Sequence, residues 1–336
     1  MQVVIGTSEG VFLGRGTEMV EAAAGLDGRE VRHLSHIGST LFAGADDGLY
    51  RSRDGGQTWE GCGLAGRMVW DVTRAGEDAH ALYAVSQPAG LFRSDDGGDS
   101  WHEVASLLTV PGAERWCLPG NPPTAARART VVLDRTDPAR MWVGIEVGGV
   151  VASADGGDSW TCTLPGGNPD IHVLTAHPAQ PELLFATTGY GRMDNSEPME
   201  QRIAGLFRSA DGGRSWDYLW DQLDPKYTRP MCIDPRPPHA LTVACAPTAF
   251  SSHRDPGGAQ AMLYQSEDGG ERWRPLGDAM HAPSAANFLT VGVDPAEAGG
   301  VLVGTDTGEL WRVSSAARWT LLASGLPAVL AVHGST

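Results

Sequence analysis

Ser52-Arg53-Asp54-Gly55-Gly56-Gln57-Thr58-Trp59 decides the fold, because it recurs. The same S-x-D-G-G-x-x-W pattern returns at residues 94–101, 153–160, 209–216 and 266–273. Before each copy stands a constant lead-in: a short apolar run, a Gly-containing turn, then a glycine and an aromatic or apolar pair. Leu41-Phe42-Ala43-Gly44 with Gly48-Leu49-Tyr50-Arg51 is one such lead-in, and Leu82-Tyr83-Ala84-Val85 with Gly90-Leu91-Phe92-Arg93 is another. Two more lead-ins precede boxes that have decayed. One is Val3-Val4-Ile5-Gly6 with Gly10-Val11-Phe12-Leu13. The other is Val301-Leu302-Val303-Gly304 with Gly308-Glu309-Leu310-Trp311, followed by Trp319. Five intact and two degenerate units make seven. Over 336 residues each unit averages about 48, the length of a four-stranded antiparallel sheet.

The repeated box is the Asp-box, and on its five copies the whole chain resembles the BNR-repeat β-propellers. The resemblance implies an all-β fold, a single seven-bladed propeller spanning residues 1–336 with four-stranded antiparallel blades. Within a unit the first strand is an apolar run such as Thr130-Val131-Val132-Leu133-Asp134. Asp137-Pro138, His177-Pro178, Asp234-Pro235 and Asp294-Pro295 mark the turns that follow such runs. The first unit has no such strand before it. Residues 328–333 supply one at the other end of the chain, so the C-terminal strand should join the N-terminal blade and leave no open edge.

In the box, the glycine pair permits positive φ in a tight turn, while the Asp and Ser side chains bond backbone N–H groups there. The spacing lacks the closing Glu of a twelve-residue calcium loop, so the box reads as a folding device. It also orients each blade. The boxes join third to fourth strands, on the same face as the short turns between first and second strands. The long segments 107–127, 217–228 and 274–286 fall between blades, and 188–204 and 246–261 fall between second and third strands. All five belong to the opposite face, where loops on a rigid scaffold carry function.

Bulk composition excludes several partners. The 44 glycines, about 13% of the chain against a usual ~7%, fit a turn-rich fold. The 25 basic residues are outnumbered by 41 acidic ones, for a net charge of −16. That argues against nucleic acid and against docking on an anionic membrane. Five cysteines without a CxxC pair point to reduced thiols rather than disulfides or a zinc site. No apolar run is long enough to span a bilayer, and Met1-Gln2-Val3-Val4-Ile5-Gly6 lacks the layout of a secretion signal. A cytoplasmic monomer acting on a small-molecule ligand is the expectation.

Candidate site residues are those at the starts of first strands and the ends of second strands. Glu146, Tyr190 and His172 are the candidate catalytic groups. Glu146 ends the apolar run Val143-Gly144-Ile145, beside the glycines Gly148 and Gly149. It reads as a general acid or base, or as a structural partner of Arg129. His172 reads as a base, as a metal ligand or as a packed core residue. Arg67, Arg129, Arg192 and Arg229 suit bidentate anion binding. Trp70, Tyr190 and Tyr227, with Trp116 in the 107–127 segment, suit stacking on a flat ligand, and Asn287 completes the set. The sequence contains no HExxH or H-x-H pair and assigns no metal ligand set or cofactor. A ring of blades could still bring His172 to His253, His281 or His333.

Several Asp-box families bear on function. Sialidases share the blade grammar, with an arginine triad, a Tyr–Glu pair and an Asp acid. The only echo of such a set here is Arg67, Arg129 or Arg229 with Tyr190 or Tyr227 and Glu146; without an Arg-Ile-Pro and with seven units rather than six, the chain does not read as a sialidase. Xyloglucan-cleaving enzymes pair two propellers, sortilin-type propellers have ten blades, and photosystem II assembly factors have a single seven-bladed one. The chain most resembles bacterial seven-bladed BNR-repeat proteins termed glycosyl hydrolases by their repeats alone, a likeness of fold and not of activity. The candidate residues at the strand ends suggest binding or hydrolysis of a polyhydroxy or anionic ligand. The competing expectations are a protein-binding scaffold or assembly factor and a metal-dependent enzyme.

Overall fold

Inner strands with half-buried alternation and second strands with continuous apolar runs are laid down by the repeat, and they form seven four-stranded antiparallel sheets. A computed structural model describes residues 1–15, 20–76, 80–193, 203–219 and 221–335. The chain is an all-β seven-bladed β-propeller. Its first strands, in blade order, are Val329–Ser335, Val31–Ile37, Met68–Arg74, Arg127–Leu133, Ile171–His177, Tyr227–Ile233 and Phe288–Val293. Val329–Ser335 pairs antiparallel with Gln2–Thr7, so the C-terminal strand completes the N-terminal blade as expected.

The fold divides into two compact units. One comprises Met1–Ala43, Arg51–Glu60 and Asp221–Thr336, and the other Gly44–Tyr50 and Gly61–Trp220. In the second unit, Trp70, Tyr83, Leu91, Leu107, Val143 and Ile145 belong to one core cluster, and Trp142, Ile171, Leu184 and Phe207 to another. In the first unit, Leu263, Phe288, Val303 and Val313 form one cluster, and Val3, Ile5, Leu302 and Leu310 another. Second strands such as Met141–Glu146 are buried along nearly their whole length, which is why they read as unbroken apolar runs.

The five boxes share a core of hydrogen bonds among Ser, Asp and the second glycine, and the first four add a hydroxyl bond to the Asp that Arg272 of the fifth cannot make. In the first, Gly56 N–H donates to Ser52 Oγ (2.8 Å), and Ser52 donates in turn to Asp54 Oδ1 (2.7 Å). Thr58 donates to Asp54 through its N–H (3.0 Å) and its hydroxyl (2.6 Å). Gly55 and Gly56 take φ of 74° and 90°, where a side chain would be strained. Box tryptophans reach backward along the chain: Trp101 donates to Cys62 O (3.0 Å) and Trp216 to Thr163 Oγ1 (3.2 Å) in the preceding blade, and Trp160 to Ser106 Oγ (3.2 Å) just beyond it. The Thr58 hydrogen bonds hold the Asp54 carboxyl at about 2. Both of its oxygens are engaged within the turn. The five cysteines are all free thiols.

At the other end of the blades a second device repeats. Among the described residues, six of the first strands gain one extra residue near one end, a β-bulge that re-aims a side chain. The extra residue is Trp70 between Val69 and Asp71, Arg129 between Ala128 and Thr130, and His172 between Ile171 and Val173. In the first unit the bulges fall at Arg229-Pro230, Leu289 and Leu330. The fourth blade's inner strand therefore begins at Arg127, three residues before the start that alternation suggests, because the bulge at Arg129 breaks the period of two.

Candidate functional site

Three of these bulged residues and the end of one second strand meet in the second unit. Trp70 is buried, and the guanidiniums of Arg129 and Arg127 lie over its ring at 4.6 and 5.1 Å. Both arginines donate to Glu146 Oε2, Arg129 Nη1 at 2.9 Å and Arg127 Nη1 at 3.2 Å. Arg127 is further fixed by donating from Nε to Gln87 Oε1 (2.9 Å). Burial alone would push the Glu146 carboxyl up. The charges of Arg129, Arg127 and His172, with the direct Arg129 hydrogen bond, overcome it and hold the group at about 2. The arginines therefore favour the ionised form of Glu146.

The chain leaves Glu146 through a strained turn. Val147 is buried at φ 61°, an outlying conformation for a β-branched residue, and the backbone then turns back through Gly148 and Gly149. A Cβ on Gly148 would lie 3.2 Å from Trp116 Cδ2, so the indole of the long 107–127 segment packs beside this turn.

Across from Glu146 stand Asp170 and His172, both buried, with Glu146 and Asp170 joined by an isolated antiparallel bridge. Buried Asn168 builds this corner. It accepts from Asp170 N–H (2.9 Å) and donates to Gly189 O (2.8 Å), Ile203 O (3.1 Å) and Thr188 Oγ1 (3.2 Å). Gly191 N–H donates to Asp170 Oδ2 (2.7 Å). Asp170 Oδ1 is buried with no hydrogen-bond partner, 3.5 Å from His172 Nε2. Gly189 and Gly191 close over the pair: a Cβ on Gly189 would stand 2.3 Å from Asp170 Oδ2 and 2.9 Å from His172 Nε2. Tyr190, half-buried, lies between these two glycines.

The remaining sequence candidates lie elsewhere. In the second unit Arg67 donates to Pro88 O (3.3 Å) and stacks on Phe92 at 4.8 Å, while Arg192 is exposed. In the first unit Arg229 donates to the Tyr227 hydroxyl (3.3 Å), and both line a cavity of about 10 Å³ with Asn287 and Phe288, room for one water. Asn287 is tied down by Asp306 and Ser251. The histidines considered as a metal set have local partners: His253 faces Asp306 (3.1 Å), His281 stacks on Trp319, and His333 meets His36 edge-on. Sequence reasoning missed Arg127, Asp170 and Asn168. The run Asn168-Pro169-Asp170 at the entry to an inner strand was the signal that could have found the last two.

With fold and site in view, the chain is a seven-bladed β-propeller built on Asp-box repeats. The BNR/Asp-box repeat family matches residues 50–60. No curated protein matches the sequence. Among solved structures, it is similar to the GH74 xyloglucanase from Xanthomonas campestris, with 19% identity and a TM-score of 0.70 over 96% of this chain and 52% of that one. It thus spans about half the length of that enzyme. It is similar as well to YCF48 bound to D1 peptide, with 15% identity, TM-score 0.57 and coverage of 96% and 83%. For YCF48 from Cyanidioschyzon merolae the values are 13%, 0.55, 88% and 87%. At these identities the likeness is one of fold.

Proposed function

We propose that the chain binds a small ligand carrying hydroxyl and acidic groups, such as a sugar or sugar acid, at the cluster around Glu146. The observation that carries this reading is the convergence of Glu146, Asp170 and His172 to within 4.8 Å of one another beneath two arginines. Arg127 and Arg129 retain donors for an anion, Glu146 accepts from hydroxyls, and Trp70 and Trp116 supply aromatic surface. Where the ligand is hydrolysed, Glu146, Asp170 and His172 are the groups that hold and polarise the attacking water. The fold is shared with a sugar-cleaving enzyme and with a peptide-bound factor, so the site rather than the fold supports the choice.

The test is a thermal-shift panel of sugars, sugar acids, lactones and small carboxylates. One class should raise the melting temperature by mass action, and Glu146→Gln and Arg129→Ala should abolish that shift. If no compound shifts the protein, the reading fails. The second reading, a protein-binding scaffold, would then gain from Phe250 and Met280, which are 83% and 86% exposed on the long 246–261 and 274–286 segments.

A further inference from the structure

Asp170 offers the molecule's least expected buried group. Its side chain is 9% exposed, one oxygen is fixed by Gly191 N–H, and the other has no hydrogen-bond partner. Burying an unsatisfied carboxylate oxygen is costly, and a fold that holds one in place directs its lone pair at something. His172 Nε2 stands 3.5 Å from that oxygen. That is too long for a good N–H to oxygen hydrogen bond. It is close to the edge of about 3.4 Å between two ligands of one tetrahedral ion with bonds of ~2.0–2.1 Å. Glu146 brings the third ligand, since one atom from each of the three side chains falls within 4.8 Å of the others.

We propose that Glu146, Asp170 and His172 bind one divalent transition-metal ion of the zinc or manganese class. One imidazole and two carboxylates favour such ions over magnesium or calcium, which prefer oxygen alone. Asp170 presents Oδ1 and His172 presents Nε2. Glu146 presents Oε1, because Oε2 takes the short hydrogen bonds of both arginines and Oε1 has only a 3.4 Å contact from Arg127. The arginines orient the glutamate and, as cations, weaken the affinity relative to a site without them. Three protein ligands leave a coordination position for a water or a ligand hydroxyl. The inference shares the site of the proposed function and rests on that reading only for what would fill this open position.

The experiment is a metal titration of the chelator-treated, dialysed protein with no organic ligand present, so its failure leaves the sugar panel standing and the reverse. Cobalt(II) is followed by visible absorption and zinc by calorimetry. The expected result is one equivalent per chain, a d–d absorption band and a raised melting temperature. Asp170→Asn and His172→Gln should each weaken binding at least about tenfold. His253→Gln should bind as the parent does. Arg127→Ala should bind more tightly. Circular dichroism verifies the fold of each variant; if Asp170→Asn does not fold, His172→Gln carries the test. Absence of saturable binding up to about 1 mM metal would overturn the proposal, as would parental binding by both ligand variants.

Discussion

The two ends of each blade repeat different things. At the box end the chemistry itself repeats: Ser94, Ser153, Ser209 and Ser266 each accept from the second glycine N–H at 2.8–2.9 Å, as Ser52 does. At the bulge end only the backbone device repeats, and the side chain it re-aims changes from Trp70 to Arg129 to His172 to Leu289 to Leu330. In four of the five boxes both Asp oxygens are spent on the turn itself, which fits a folding role. A bulge that delivers a different group each time can assemble a site. Repetition of residues marks the scaffold, and variation on a repeated backbone marks the place where chemistry is built.

Mutations at the two ends should therefore separate stability from binding. The largest effect belongs to Asn168→Ala, which removes four hydrogen bonds, three of them buried, and releases the Asp170 corner. We expect a loss of about 3 kcal/mol in denaturant unfolding together with loss of ligand binding. Ser209→Ala leaves the buried Gly213 N–H without its acceptor. It should cost about 2 kcal/mol and leave binding of the same ligand unchanged; a binding defect here would break the comparison.

A smaller effect tests the electrostatics. Glu146 has a folded value of about 2 against an ordinary 4.5, so its contribution is complete above pH 4.5 and is lost as the pH falls toward 2. Arg129→Ala should raise the folded value. The variant should then be less stable than the parent by about 2 kcal/mol at neutral pH, with the gap narrowing below pH 4.5. Asp54 and Asp211 titrate in the same low range in both proteins, so the difference between parent and variant isolates Glu146. Parallel pH–stability curves for the two would show that Arg129 does not set the Glu146 charge.

How much of this was legible from sequence follows from the same contrast. The five boxes, the two decayed lead-ins and the displaced strand at 329–335 carry the blade count and the closure of the first blade, because the boxes are written in residue identity. Glu146, Trp70, Arg129 and His172 were also reachable, as polar or aromatic residues at strand ends. Their grouping was not. A bulge leaves no residue signature, only a break in alternation, and that break at Arg129 hid Arg127 within a strand read as starting at Thr130. Arg67 and Asn287 look equally placed in the sequence, yet local carbonyls and carboxylates engage them in the fold. A single Asp before a strand most often serves its own turn, so Asp170 carries no signal of its own in the sequence.

The most direct test of the central claim is hydrogen exchange with and without the best ligand from the panel. Protection should rise in segments 127–131, 144–149 and 168–174 and stay unchanged across the box at 209–216. Protection confined to the box turns, with the three bulge-end segments unchanged, would contradict the account.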